Sequence, residues 1–225
     1  MIRENLSPAI EDYLKTIYFL TSSYGRASTN QIADRLGVAP ASVTGMIQKM
    51  AAAEPPLVEY QKHRGVALTF AGENVALEII RHHRLLELFL HESLGYSWDE
   101  VHGEADRLEH VISEDFEERI AQALGDPTHD PHGHPIPSRD FHLPPQSTQR
   151  LSELRPGQQA TVQRVEDADP ELLRYLSSLG LTPQALVTAL DYSSFDDNLR
   201  VQVAGQDESV VLGPRVTRRI YIDIK

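Results

Sequence analysis

The chain has 225 residues, no cysteine, and 33 acidic side chains against 21 Lys+Arg, for a formal net charge of -12. No stretch approaches the roughly 20 apolar residues that cross a bilayer, which excludes a helical membrane protein. The lack of cysteine excludes disulfide frameworks, thiol catalysis, iron–sulfur clusters and cysteine zinc sites, so any metal must sit on imidazole, carboxylate, amide or carbonyl. The opening MIRENLSPAIEDY carries charges and a proline where a secretion signal has its apolar run, so a cytoplasmic protein with no membrane partner is expected.

Net acidity counts against nucleic acid only until it is divided along the chain. Residues 1–75 carry 7 Lys+Arg and 7 acids, residues 76–140 carry 5 and 15, and residues 141–225 carry 9 and 11. The first segment is neutral and open to DNA, while the middle one concentrates negative charge.

In chain order, Ser7 caps a helix that starts at Pro8 and aligns Ile10, Tyr13, Leu14, Ile17 and Tyr18 on one side. Ser28 or Thr29 opens a second helix with Ile32, Ala33 and Leu36 inward and Gly37 as its stop. Pro40 starts a third, with Val43, Met46, Ile47 and Met50 as its apolar face. Two β-prone runs, 57–60 and 66–69, then flank a tip bearing Lys62, His63 and Arg64. Helix, helix, tight turn, helix, hairpin is the order of a winged helix-turn-helix, in which the last helix reads the major groove and the wing meets phosphate. The exposed candidates on that helix are Ala41, Ser42, Thr44, Gly45, Gln48 and Lys49. Helical hairpins of this kind also occur without DNA, and an exposed polar turn accounts for the charges at 62–64 though not for their place after the motif.

A helical pattern runs from Phe70 to about Glu92. Ser97 and Glu100 form a capping box for a helix with Val101, Ala105, Leu108 and Ile112 as its stripe, and Ser113 caps another that ends near Gly125. Residues 126–147 hold six of the fourteen prolines and are expected as a flexible linker, the histidines of HDPHGH included. Strands follow at 160–165, 186–189, 199–203, 209–212 and 218–224, interrupted by one helix with Asp169 as cap and Pro170 first. The chain is therefore predicted to be mainly α with a small C-terminal barrel of SH3-like size.

The acidic middle holds a second constellation. His83 and Glu87 are four apart on one helix, and His102, Asp106, Glu109 and His110 fall at about 0, 40, 340 and 80° on the capped one, taking roughly 100° per residue. That arc lies beside the apolar stripe, where unpaired charges are costly and a divalent cation removes the conflict. A solvated acidic face with incidental histidines is the alternative, as is a metal hydrolase with an open coordination position, although no nucleophile or phosphate loop is evident.

The segments EDYLKTIY, VTGMIQKM, HRGVALTFAG, HHRLLELFL, VHGEADRLEH and DPHGHPIP, followed by the SH3-like domain, together resemble the iron- and manganese-dependent repressors of the diphtheria-toxin-repressor type over most of the chain. The resemblance implies a regulator rather than an enzyme: a homodimer that binds a palindromic operator in double-stranded DNA, controls metal-uptake genes and takes divalent metal as co-repressor. It implies a winged helix-turn-helix at 1–73, a helical dimerisation and metal-binding domain at 74–140, a linker at 141–150 and an SH3-like, FeoA-like domain at 151–225. One metal site would use Asp12, Asp106, Glu109 and His110, and the other His83, Glu87 and His102 with Asp169 and Glu171 from the C-terminal domain. Asp12 and Asp106 stand where iron-type members have methionine and cysteine. Oxygen in place of sulfur makes Mn(II) the expected effector and Fe(II) the second, with Co, Cd and Zn as substitutes in vitro. The short manganese-type members have a further acidic ligand one turn after the first-helix aspartate, where this chain has Lys15, which speaks against a closely spaced binuclear site. The family's base-reading positions fall on Ala39, Ala41 and Gly45, so hydrogen bonds to bases pass to Ser42, Thr44 and Gln48 while Ala41 can meet thymine methyls.

Overall fold

The computed structural model describes residues 6–61 and 63–225, and Lys62 of the expected wing lies outside the described residues. Two compact units make up the chain: Met1–His82 with Glu109–Val111 and Pro137–His142, and His83–Leu108 with Ile112–Ile136 and Leu143–Lys225.

In the first unit, α1 (Pro8–Tyr24), α2 (Thr29–Leu36) and α3 (Pro40–Ala51) precede a hairpin of β1 (Val58–Gln61) and β2 (Gly65–Leu68), after which α4 (Phe70–Leu94) begins. Ser28 accepts from the Gln31 amide while the Gln31 side chain accepts from the Ser28 amide, which satisfies two of the donors left open at the start of α2. Gly37 ends that helix at φ 65°, a left-handed turn that glycine enters without strain. Ser7 precedes α1 but makes no side-chain cap bond, and Pro8 alone marks the start. Leu14, Ile17, Ile32, Val43, Ile47, Met50, Val66 and Val75 form one buried cluster, so α1, the two motif helices and the hairpin share a core. The hairpin is antiparallel from Val58↔Leu68 to Gln61↔Gly65, and Val66 also bridges Ala27. That bridge needs a glycine at 65, where a Cβ would stand 2.5 Å from the Ala27 carbonyl oxygen.

The second unit combines the rest of α4 with α5 (Val101–Leu108) and α6 (Glu114–Ala123) around Leu85, Leu86, Leu90, Val101, Ala105, Ile120 and Ile136. Its C-terminal part is an antiparallel sheet in the order β6-β5-β4-β3-β7, built from β3 (Gln159–Val165), β4 (Leu186–Tyr192), β5 (Leu199–Val203), β6 (Val210–Leu212) and β7 (Ile220–Ile224). With α7 (Pro170–Ser178) and the one-turn α8 (Pro214–Thr217) it encloses Leu154, Val162, Leu173, Val187, Val201 and Ile222, and Trp98 packs into the same cluster. The fold is mainly α with a winged helix-turn-helix at the start and an SH3-like β domain at the end.

Two expectations are corrected. α5 stops at Leu108 and the chain turns over the next three residues, so Glu109 and His110 do not continue the helical arc of His102 and Asp106. Residues 126–136 are irregular but are not a loose linker: Asp130, His132 and Ile136 are buried. Asp130 Oδ1 accepts the amides of His132 at 2.8 Å and His134 at 2.9 Å, the Trp98 indole donates to the Pro131 carbonyl at 3.0 Å, and Arg84 donates to the Pro135 carbonyl. Prolines carry no N–H, so this segment has few donors to satisfy; the buried Asp130 carboxylate takes up two of its amides and the Arg84 guanidinium serves a carbonyl.

Candidate metal centre and DNA-reading face

In the first unit α1 presents Glu11, Asp12 and Lys15 on one face, and the turn after α5 supplies Glu109 and His110. The His110 ring is held between two carboxylates, with Nδ1 2.6 Å from Glu11 and Nε2 3.1 Å from Asp12. Glu109 lies 3.5 Å from the same Nε2, and its side chain is 1% exposed. The hydrogen bonds to Asp12 and Glu11, followed by burial, which opposes them, and the Glu109 charge, push His110 up to about 9. Asp12, Glu109 and His110 each bring a ligand atom to within 4.8 Å of the others.

In the second unit His83 and Glu87 of α4 meet His102 and Asp106 of α5. His83 Nε2 and His102 Nδ1 are 3.0 Å apart, and each is 3.0 Å from Glu87 Oε1. Asp106 lies 3.3 Å from His83 Nδ1 and 3.7 Å from His102 Nε2. Expected in the other site with Asp12, Asp106 thus keeps to the side of the residue four before it on α5.

Glu87 also faces a donor set that local spacing did not reveal. His132 Nδ1 is 3.9 Å from Glu87 Oε2, and the Asp167 carboxylate completes a group within 4.8 Å. His134 Nδ1 is 3.4 Å from both Asp130 and Asp167. Burial pushes Glu87 up, but His83, His102 and His132 outweigh it and hold the carboxyl well below its usual range. Burial likewise lowers His132, yet Glu87, Asp130 and Asp167 push it up to about 9. Among the described residues, the Glu87 Oε2, His132 Nδ1, Asp130 Oδ2 and His134 Nδ1 atoms are buried without a hydrogen-bond partner. Orphaned buried carboxylate and imidazole atoms facing one another are what a divalent cation satisfies, so the residues fit a metal.

Asp169 and Glu171 do not join this group. Asp169 accepts from the amides of Glu171 and Leu172 at the start of α7 and pairs with Arg219 at 2.9 Å, and Glu171 is exposed. Asp167, two residues before the cap and so outside the helix, supplies the carboxylate instead. The signal for the missed set was the His-x-His of DPHGHP, hidden by the prolines around it.

On α3, Ala39 at its N-cap and Ala41, Ser42, Gly45, Gln48 and Lys49 along it are exposed, and half-buried Thr44 donates to the Pro40 carbonyl at 3.1 Å. His63, at φ 66°, and Arg64 are exposed at the hairpin tip, and Arg26 braces the hairpin by donating to the carbonyls of Glu59 at 2.8 Å and Gly65 at 3.2 Å. None of the described helices is long and apolar enough to cross a membrane.

Comparison with known proteins agrees with this architecture. Residues 5–66 match the family described as iron dependent repressor, N-terminal DNA binding domain; residues 69–138 match its metal binding and dimerisation domain; and residues 149–224 match the FeoA domain. The iron-dependent repressor IdeR of Mycobacterium leprae is 34% identical over 197 residues, 82% of this chain and 84% of that one. The HTH-type transcriptional regulator MntR of Lysinibacillus sphaericus is 35% identical over 118 residues, 52% of this chain and 83% of that one. A solved manganese-dependent transcriptional repressor in complex with manganese superposes with a TM-score of 0.85 at 39% identity, covering 95% of this chain and 98% of the other. A winged helix-turn-helix, buried carboxylate–imidazole clusters, an SH3-like domain and this degree of identity place the chain in the diphtheria-toxin-repressor family of metal-dependent, DNA-binding transcriptional repressors.

Proposed function

We propose that this protein is a Mn(II)-dependent repressor of metal-ion uptake genes, acting in the cytoplasm as a homodimer on a palindromic operator. The observation that carries the reading is the convergence of Asp12, on a DNA-reading-domain helix, with Glu109 and His110 from the turn after α5. A divalent cation bound there supplies the positive charge that lets these oxygens and the imidazole share one point. Asp12 then holds α1 against residues 109–111, and because α1 shares a core with α2 and α3, the recognition helix is held with it. Two such helices in a dimer would meet half-sites about one DNA turn apart, or a multiple of it. Arg64, His63 and Lys62 serve the phosphate backbone, and Ser42, Thr44, Gln48 and Lys49 the groove. The three-part division at 1–73, 74–140 and 151–225 follows from the same reading.

Mn(II) is favoured because every candidate ligand, Asp12, Asp106, Glu109 and His110 as well as His83, Glu87 and His102, offers oxygen or imidazole nitrogen and none offers sulfur. Fe(II) is the second reading, supported by the likeness to iron-dependent repressors over most of the chain. The test is operator binding by chelated protein, titrated in parallel with Mn(II), Fe(II) and Zn(II). Mn(II) should give the largest gain at physiological concentration, and Asp12→Ala should lose the response while keeping its helical circular dichroism. Binding equally tight with and without metal would remove the reading.

A further inference from the structure

Lys15 follows Asp12 by three residues on α1, so the two side chains project to the same side. Its Nζ is 2.9 Å from one oxygen of Glu109 and 2.7 Å from the other. The Glu109 side chain is 1% exposed and that of Lys15 16% exposed. The most deeply buried carboxylate of the Asp12–Glu109–His110 set therefore has both oxygens on an ammonium carried by the protein itself. A buried carboxylate without a counter-charge is strongly unfavourable, which is why this contact matters in the metal-free protein.

We propose that Lys15 is a tethered competitor for the metal: it neutralises Glu109 until a divalent cation displaces it, and so raises the metal concentration at which the regulator switches. The inference rests on the reading of Asp12, Glu109 and His110 as a metal site. Geometry supports an exchange rather than a permanent lock. The lysine stem is flexible and reaches the surface, so Nζ can leave for water while its methylenes stay on the protein. Asp12, with 47% of its side chain exposed, lies on the open side of the group, where a cation can arrive before Glu109 is released. The charge balance points the same way. Glu11, Asp12 and Glu109 bring three negative charges around the His110 ring, and Lys15 offsets one of them beside the charge of the protonated ring. A divalent ion in its place offsets two, whereas a second divalent ion would have to settle against the displaced ammonium. The site therefore takes one ion.

The test is calorimetric titration of the full chain with Mn(II), paired with electron paramagnetic resonance to count bound ions. Asp12→Ala identifies which step of the isotherm belongs to this site. Lys15→Gln keeps a hydrogen-bond donor for Glu109 without the charge and should tighten that step by about tenfold or more, the size of one charge-assisted hydrogen bond. Lys15→Arg keeps the charge and should bind Mn(II) as the parent does. Lys15→Arg should also hold one ion at the Asp12-dependent step, as the parent does. If Lys15→Gln binds no more tightly than the parent, the competitor role is overturned while the site stands. If Asp12→Ala leaves the whole isotherm unchanged, the site reading falls and the competitor role falls with it.

Discussion

His132 donates its Nε2–H to the Trp98 carbonyl at 2.9 Å, and this contact turns the other ring nitrogen, Nδ1, toward Glu87. A carbonyl only accepts, so the bond holds a proton on Nε2, and Nδ1, whose proton a cation displaces, is the atom that faces the metal. The Trp98 ring lies 5.3 Å from the His132 ring, centroid to centroid, and Trp98 is the single tryptophan of the chain. Paramagnetic Mn(II) or Co(II) at Glu87, His132 and Asp167 should therefore quench its fluorescence in a saturable way. Asp167→Asn should shift that quenching to higher metal concentration, and an unaltered titration curve would argue against Asp167 as a ligand.

His110 makes the metal-free protein sensitive to alkali. Its folded pKa, raised to about 9 by Asp12 and Glu11 first, then by Glu109 against burial, exceeds the ordinary value of 6.5. A group with a raised folded pKa contributes stability that is complete below its unfolded pKa and is lost as pH climbs through the folded one. Chelated protein should therefore lose stability between pH 6.5 and pH 9, with Lys15 also present beside Glu109 throughout. His110→Gln should show a smaller loss in urea unfolding over that interval. Mn(II) competes with the same proton, so affinity at the Asp12 site should rise with pH by up to about tenfold per unit over the same range.

Two glycines with opposite surroundings test the packing of the irregular segment. Gly133 has φ +86°, and a Cβ there would stand 2.0 Å from the Gln163 carbonyl oxygen and 2.9 Å from Arg164 Cα. Gly133→Ala should lower stability by at least ~1–3 kcal/mol from backbone strain alone. It should also weaken metal quenching of Trp98, because the backbone that carries His132 and His134 must move. Gly103 lies inside α5 with nothing within 4 Å of the corresponding position, so Gly103→Ala should stabilise by ~0.5–1 kcal/mol. Calorimetric melting of both variants checks the contrast.

On the DNA side, Lys49 and Gln48 are exposed neighbours on α3 to which the proposed function gives different tasks. Lys49→Ala should weaken binding to all duplexes alike and reduce the slope of log affinity against log salt by about one, as loss of a single phosphate contact does. Gln48→Ala should instead relax discrimination at one base pair by ~1–3 kcal/mol. Mobility shifts over a salt series, with operator and unrelated DNA, separate the two. A Lys49→Ala change confined to the operator would reverse the assignment.

The sequence alone determined the elements that depend on near neighbours. Ser28 with Gln31, Pro40 at a helix start, Gly37 after a helix and the spacing of Val43, Ile47 and Met50 each act within one or two turns, so the winged helix-turn-helix could be read before any packing was known. The i,i+4 pairs His83–Glu87 and His102–Asp106 were legible for the same reason, and so was a ligand set without sulfur. Tertiary structure decided how those donors divide. α5 ends at Leu108, which separates Glu109 and His110 from the helical face that holds Asp106. It also decided that Asp167 rather than Asp169 turns toward Glu87, because the amides at the start of α7 take up Asp169 as a cap. The proline-rich stretch at 126–136 has no periodicity to read. Its order comes from Trp98, Arg84 and Val165, partners 30 or more residues away in sequence, in the bonds Trp98–Pro131, Arg84–Pro135 and Val165–His132. Contacts of that range leave no local pattern, and this is why His132, His134 and Asp167 became visible as donors only in the folded chain.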